Sequence, residues 1–391
     1  MIDQIEVYVT ELSTRVQRTF SSGSYDTGPR GRVLGKPVLV RILADGVVGE
    51  AQIRPISPGH FVADTTQGTV AAIVEIYGPL LIGRDIFDVE ATNDLLTNRL
   101  AGNPAARAVL DIALFDAMGR ALGKPVHALL GGCCVSRIPL EWSINLADDP
   151  SVMIAEAERA IGEFGISVIC LKAADRRGWR QDVRNFEAVR KAVGGGVVIG
   201  VDPNTGWTLP DAIQALRALA SMGLAYLEQP IARRNLRGLA EIRRVADGIP
   251  IMADESLFTI EDAFALAEAH AVDAFCIKLY KVGGFSAARK IAAVAEAANI
   301  LLNFGGLAVQ SQLEAAAGAH FCASVPSGRT MGAAGFLFGL NTTARDPLVA
   351  ETDFIVRGGC VEVPRGPGLG ITIDDDALAK HTLMRTVVHA A

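Results

Sequence analysis

No run in this chain is long and apolar enough to cross a bilayer. Half of its 391 residues are hydrophobic and the mean hydropathy is +0.30, yet glycine or a charge cuts every apolar run before roughly 18 residues. The opening MIDQIEVYVTEL alternates like a strand and carries an early acid, which does not fit a secretory leader, so a cytoplasmic location is expected by default. Aromatic residues are only 6% of the chain, so the core is mostly aliphatic. There is no basic block: the net charge is −6 and lysine and arginine are spread along the chain, which gives no footprint for nucleic acid. The six cysteines (Cys133, Cys134, Cys170, Cys276, Cys322, Cys360) have neither the number nor the spacing of a disulfide framework, and the adjacent pair is not a zinc motif. No two of the six histidines share metal-ligand spacing.

The length suits a barrel of about 250 residues plus another domain. Residues 2–12 and 37–53 read as strands, the second stretch as a hairpin turning at Asp45-Gly46. Between them SSGSYDTGPRGRVLGK is a long Gly- and Ser-rich loop, read as a lid. Residues 62–122 are helical in pattern. The clearest helix runs from Pro104 to Leu122, with Pro104 in its first turn and Gly123 as its stop. From about 137 short strands alternate with amphipathic helices: IPLEWSIN, SVICLK, VVIGVD, LAYLEQ, PIMADE, AFCIKL and ILLNF, with helices over 150–164, 180–193 and 209–222 among those between. That alternation is the signature of a (β/α) barrel. The strand before Met331 is poorly marked, and the tail from 354 has strands and turns without the barrel period.

Three acids end three consecutive strand segments at equal spacing: Asp202 in VVIGVD, Glu228 in LAYLEQ and Asp254 in PIMADE, 26 residues apart in each case. One strand-helix unit has about that length, so a parallel barrel brings all three to one rim. Like charges so placed repel unless a cation sits among them, and oxygen-only ligands favour a hard divalent ion, magnesium above others. Lys172 ends the strand one unit earlier and Lys278 the strand one unit later. Around a closed barrel these two lie on opposite sides, so a substrate held on the metal has an amine on each face. Such a pair can take a proton from the carbon alpha to a carboxylate and return it. A structural salt bridge to a rim acid is the other use of such a lysine.

These residues resemble the enolase superfamily, in its muconate lactonizing enzyme subgroup. The resemblance runs through Gly49-Glu50-Ala51, ARAVLDIALFDAMGRALGKPVHALLGG, DPN, LEQP, ADES, IKLYKVGG and VPRGPGLGI. It implies an α/β fold, a modified (β/α)7β TIM-type barrel with an N-terminal α+β capping domain. Residues 1–132 form the cap with its lid loops, 133–350 the barrel, and 351–391 a segment returning to the cap. It implies that Asp202, Glu228 and Asp254 hold magnesium, with Asn204 and Glu255 on the metal side, and that Lys172 and Lys278 are catalytic. Loops around 19–35 and 52–60 would cover the substrate, with Tyr25, Arg54 and His60 as lid candidates. A homo-oligomer is expected, since lids of this kind are often completed by a neighbour.

The chain also departs from the family. Cys170 replaces the first lysine of the Lys-x-Lys motif, so Lys172 must be tuned differently. The stretch 332–340 lacks the acid that cycloisomerases often carry there and the Asp-x-Asp of dipeptide epimerases. With Phe336 and Asn303 as pocket candidates, the site suits a compact, partly apolar acid. The expected reaction is racemisation or epimerisation of a small cyclic or N-substituted amino acid, such as a proline or hydroxyproline derivative or a betaine. A dehydratase acting on a substrate like cis-3-hydroxyproline, or a cycloisomerase, would use the same enolate. A binding protein on an inactivated barrel is disfavoured because all five rim residues are present.

Overall fold

The computed structural model describes residues 1–11, 17–21, 23–26, 36–55, 64–306 and 311–389. The N-terminal part contributes β1 (Ile2–Thr10), β2 (Gln17–Phe20), β3 (Gly23–Asp26), β4 (Val38–Ala44) and β5 (Val47–Ile53). β4 and β5 form the hairpin expected at Asp45-Gly46, where both residues have positive φ (48° and 80°), as a type I′ turn demands. β1 lies antiparallel to β4, with Val7 opposite Val40. The loop expected between these strands instead holds a small hairpin, β2 on β3, with Phe20 opposite Gly23. Four-residue strands as polar as QRTF and GSYD give no periodic signal, which is why the sequence reads as a loop.

The helix Pro104–Leu122 begins and ends as expected, stopped by Gly123 at φ 61°. Nearly every residue from Ala105 to Gly119 is buried, because the helix lies between the capping sheet and the barrel. Gly49 on β5 allows its close approach: a Cβ there would lie 2.2 Å from the carbonyl oxygen of Ala113.

β6 (Arg137–Pro139) leads into eight parallel strands: β7 (Glu141–Ile144), β8 (Val168–Lys172), β9 (Val198–Asp202), β10 (Leu227–Glu228), β11 (Ile251–Ala253), β12 (Ala274–Ile277), β13 (Leu301–Phe304) and β14 (Thr330–Ala334). They follow one another around the sheet in chain order. A parallel bridge from Leu140, just before β7, to Ala334 on β14 joins the last strand to the first. A helix follows each strand from β7 to β13, giving the (β/α)7β order. The amphipathic helices start with local caps: Asp149 accepts from the Ser151 N–H before Pro150, and Thr259 with Asp262 forms a capping box. Met331 lies inside β14; its neighbours Gly332, Ala333 and Ala334 are too small to mark a strand in the sequence.

The C-terminal segment supplies β15 (Cys360–Glu362), which pairs with β6, a helix over Asp375–His381, and β16 (Thr382–His389). β16 runs antiparallel to β1, so the capping sheet has the order β16-β1-β4-β5. The GEA and GPGLG motifs meet on the long helix. Asp116 accepts from the backbone N–H groups of Glu50 (2.7 Å) and Leu369 (2.6 Å), and Arg120 bridges Asp116 and Glu50. Among the described residues no helix is long and apolar enough to cross a membrane.

Candidate active site

The parallel register sets the levels of the rim residues. Lys172 is level with Asp202 across β8 and β9, and Leu227 with Val201, so Asp202 and Glu228 end adjacent strands side by side. Asp254 and Lys278 are the residues directly after β11 and β12. Asp202, Glu228 and Asp254 are all buried, at 0%, 6% and 1% exposure. Carboxylates this deep must be hydrogen-bonded or neutralised.

Each lysine meets one of the acids. Lys172 Nζ is paired with Asp202 Oδ2, and Lys278 Nζ lies 2.5 Å from Asp254 Oδ2. The salt-bridge use of these lysines is therefore present in the structure. Burial pulls both ammonium groups down, but Asp202 and Glu228 at Lys172, and Asp254 at Lys278, outweigh it and hold them above the ordinary lysine range. Burial and then the neighbouring Asp202 and Asp254 push the Glu228 carboxyl well up. Asp254 moves the other way, because Lys278 and Lys281 overcome burial and hold it far below the usual range.

Asn204 folds back on Asp202 at φ 46°, donating its backbone N–H to Oδ1 and its side-chain amide to Oδ2, both at 2.8 Å. The same amide reaches Glu255 Oε1 at 3.2 Å. Burial, then Asp254 and Asp202, push Glu255 up to about 8. Glu255 Oε2 and Asn204 Oδ1 are buried with no hydrogen-bond partner. Orphaned oxygens beside three shut-in carboxylates fit a hard cation, and Asp202, Glu228 and Asp254 would hold it.

Two residues that sequence reasoning passed over orient this set. Lys281, 2% exposed, donates to Asp254 Oδ1 at 2.6 Å and to the Asp254 carbonyl at 2.5 Å. Its only signal was a second lysine three residues after Lys278 in an otherwise apolar stretch. Gln229 of LEQP accepts from the backbone N–H groups of Asp254 and Ser256, each at 3.0 Å, and so fixes the ADES turn. The tightest group of potential metal donors among the described residues is Glu228, Asp254 and Cys276, with ligand atoms all within 4.8 Å of one another.

The other candidates fall as follows. Tyr25 lies on β3. Its hairpin rests on the barrel mouth: Ser21 Oγ donates to the Asn204 carbonyl (3.1 Å), and the Thr19 N–H to Asn145 Oδ1 (3.2 Å). Arg54, just past β5, is fully buried. His60 and the loop around it lie outside the described residues. Phe336 lines a pocket with Ile53, Tyr280, Gly305, Gly306 and Glu314, between cap and barrel. Asn303, buried, is level with Cys276 on the neighbouring strand.

Residues 152–377 match the family model described as enolase C-terminal domain-like, and residues 30–131 match the mandelate racemase/muconate lactonizing enzyme N-terminal domain. A chloromuconate cycloisomerase of Pseudomonas putida is 33% identical, over 88% of this chain and 90% of its own. The crystal structure of N-succinyl Arg/Lys racemase from Bacillus cereus is similar with a TM-score of 0.88 at 29% identity, covering 99% of both chains. A dipeptide epimerase from Cytophaga hutchinsonii, solved with Mg and the dipeptide D-Ala-L-Val, gives a TM-score of 0.87 at 27% identity, over 99% of this chain and 100% of its own. With both domains matched and the barrel closing around buried acids and lysines, the chain belongs to the enolase superfamily, in its mandelate racemase/muconate lactonizing enzyme branch.

Proposed function

We propose that this enzyme removes the proton alpha to a carboxylate and returns it, racemising or epimerising a small cyclic or N-substituted amino acid. The observation that carries the reading is the pair of half-buried lysines, Lys172 and Lys278, reaching the acidic cluster from strands β8 and β12 on opposite sides of it. Magnesium held by Asp202, Glu228 and Asp254 would supply charge neutralisation where negative charge develops on the substrate carboxylate. Asn204, Gln229 and Lys281 keep those carboxylates in place. Lys172 and Lys278 hold and move the proton. A lysine relieved of its carboxylate partner loses what keeps it charged, and burial then favours the neutral amine that can act as base. The amine on one face takes the proton and the ammonium on the other gives one back, which inverts the carbon.

The choice of racemisation is supported by the last strand. β14 and the residues after it, Thr330 to Phe336, present glycine, alanine and an aromatic ring and lack the acid that cycloisomerases often carry there. It is also supported by the similarity, along almost the whole chain, to a racemase whose substrates are N-substituted amino acids. The largely apolar side chains about Phe336, among them Ile53 and Leu279, fit a partly apolar substrate.

The test is incubation in heavy water with magnesium and a panel of proline, hydroxyproline, N-methyl and N-succinyl amino acids, read by mass and by chiral separation. Exchange of the alpha hydrogen with appearance of both stereoisomers is expected. A product lighter by one water would replace the reading with a dehydratase. A panel wholly without exchange, in protein shown to bind magnesium, would remove it.

A further inference from the structure

We infer that the cation site has a sulfur floor, in which Cys276 joins Glu228 and Asp254 as a ligand when a thiophilic divalent ion such as cobalt or cadmium enters, and stands aside for magnesium. The inference rests on the metal reading above and extends it to which ions this particular chain accepts. Cys276 is on β12, two residues before Lys278, so both side chains point into the barrel. It is 3% exposed. Its Sγ and one oxygen each from Glu228 and Asp254 lie within 4.8 Å of one another. Metal–sulfur and metal–oxygen bonds of about 2.3 and 2.0–2.2 Å put opposite donors on one ion at most about 4.5 Å apart. Three donors within 4.8 Å of one another lie no more than about 2.8 Å from a common centre, so each moves inward by at most about 0.5–0.8 Å to share an ion.

The neighbourhood holds the thiol there. A Cβ on Gly305 would lie 2.8 Å from Cys276 Sγ and 2.6 Å from Lys278 Cε, so the bare backbone of Gly305 packs against both side chains. Cys170 is a second thiol inside the barrel, with Sγ 3.9 Å from Glu228 Oε2, but it is not part of the three-donor group. Hard magnesium prefers the carboxylate oxygens, whereas softer ions gain from sulfur. When the metal–sulfur bond forms, the sulfur keeps the electron pair and the thiol proton passes to buffer.

The experiment uses the full-length protein with the exposed Cys133 and Cys134 changed to serine, so that surface thiols do not bind the probe. Cobalt(II) is titrated in and followed by absorption. One equivalent is expected to give a sulfur-to-cobalt charge-transfer band in the near ultraviolet that Cys276→Ser abolishes and Cys170→Ser retains. X-ray absorption at the cobalt edge, on the chain with Cys276 intact, is expected to count one sulfur neighbour; this reading survives a Cys276→Ser variant that fails to fold. Zero sulfur neighbours, or a band that persists in Cys276→Ser, overturns the inference. Alpha-hydrogen exchange with magnesium is measured on the same preparation. Exchange without the band sinks this inference and leaves the proposed function standing; the band without exchange does the reverse.

Discussion

Lys172 pairs with Asp202 and Lys278 with Asp254, from opposite ends of the acidic arc. Replacing either with alanine takes away one of the two proposed proton carriers; Asp202 then loses its paired lysine, while Asp254 keeps Lys281. Turnover should fall by about 10²–10⁴-fold in each variant, with the far-ultraviolet circular dichroism unchanged. In heavy water Lys172→Ala should still exchange the alpha hydrogen of one stereoisomer and not the other; loss of exchange from both would defeat the division of labour between the two lysines. The strand-end acids and lysines were legible because the equal spacing of the acids and the place of each lysine one strand away survive without any knowledge of packing. Lys281, Gln229 and Cys276 were not legible. Their roles depend on which atom each meets across the barrel, and no local pattern encodes that.

Helices were easier to read than short strands for a physical reason. Pro104–Leu122 and Pro150–Phe164 have the expected limits because proline opens and glycine closes each of them. β2, β3 and β14 are short and poor in branched residues, so their pairing is decided by the surfaces they land on. Glycine position separates packing from propensity in the same way. Gly49 sits where any side chain meets the backbone of the long helix, whereas Gly162, inside Pro150–Phe164, has nothing within 4 Å of a built Cβ. Gly49→Ala should cost about 1–3 kcal/mol or more, and Gly162→Ala should gain about 0.4–1 kcal/mol. Denaturant unfolding of the two variants checks both signs; a neutral Gly49→Ala would mean that strand and helix have room to separate.

Across the whole molecule, cap, barrel and tail are joined by buried polar groups whose protonation matters. His320, on the barrel helix Gln312–Ala323, is 0% exposed; its Nε2 contacts the Leu369 carbonyl of the tail at 3.1 Å, and its Nδ1 lies 3.0 Å from His127 Nδ1. Burial lowers its pKa to about 4 from the ordinary 6.5. Between those values the unfolded chain binds a proton that the folded ring refuses, so this contribution is present above pH 6.5 and is lost as pH falls toward 4. Its size is on the order of 3 kcal/mol. Burial lifts Asp116, Asp182 and Asp346 to about 6, and these act in the opposite sense over an overlapping range. The clean measurement is therefore a difference: the stability of the wild type minus that of His320→Gln should shrink as pH drops from 6.5 to 4. A difference that stays flat would show that the ring charges without penalty. None of this interdomain coupling was legible in the sequence, where His127 and His320 are 193 residues apart.

The barrel is a ring whose closing seam is thin. Among the described residues β14 is tied to β7's side through one bridge, Leu140–Ala334, and its register slips against β13 between Leu302 and Phe304. A hoop yields where a join is thin, so the ring should breathe where the chain completes its circuit, on the arc beside Phe336. Substitutions that reshape the substrate's resting place can then accumulate along that join while Asp202 and Asp254 stay pinned by Asn204, Lys172, Lys278 and Lys281.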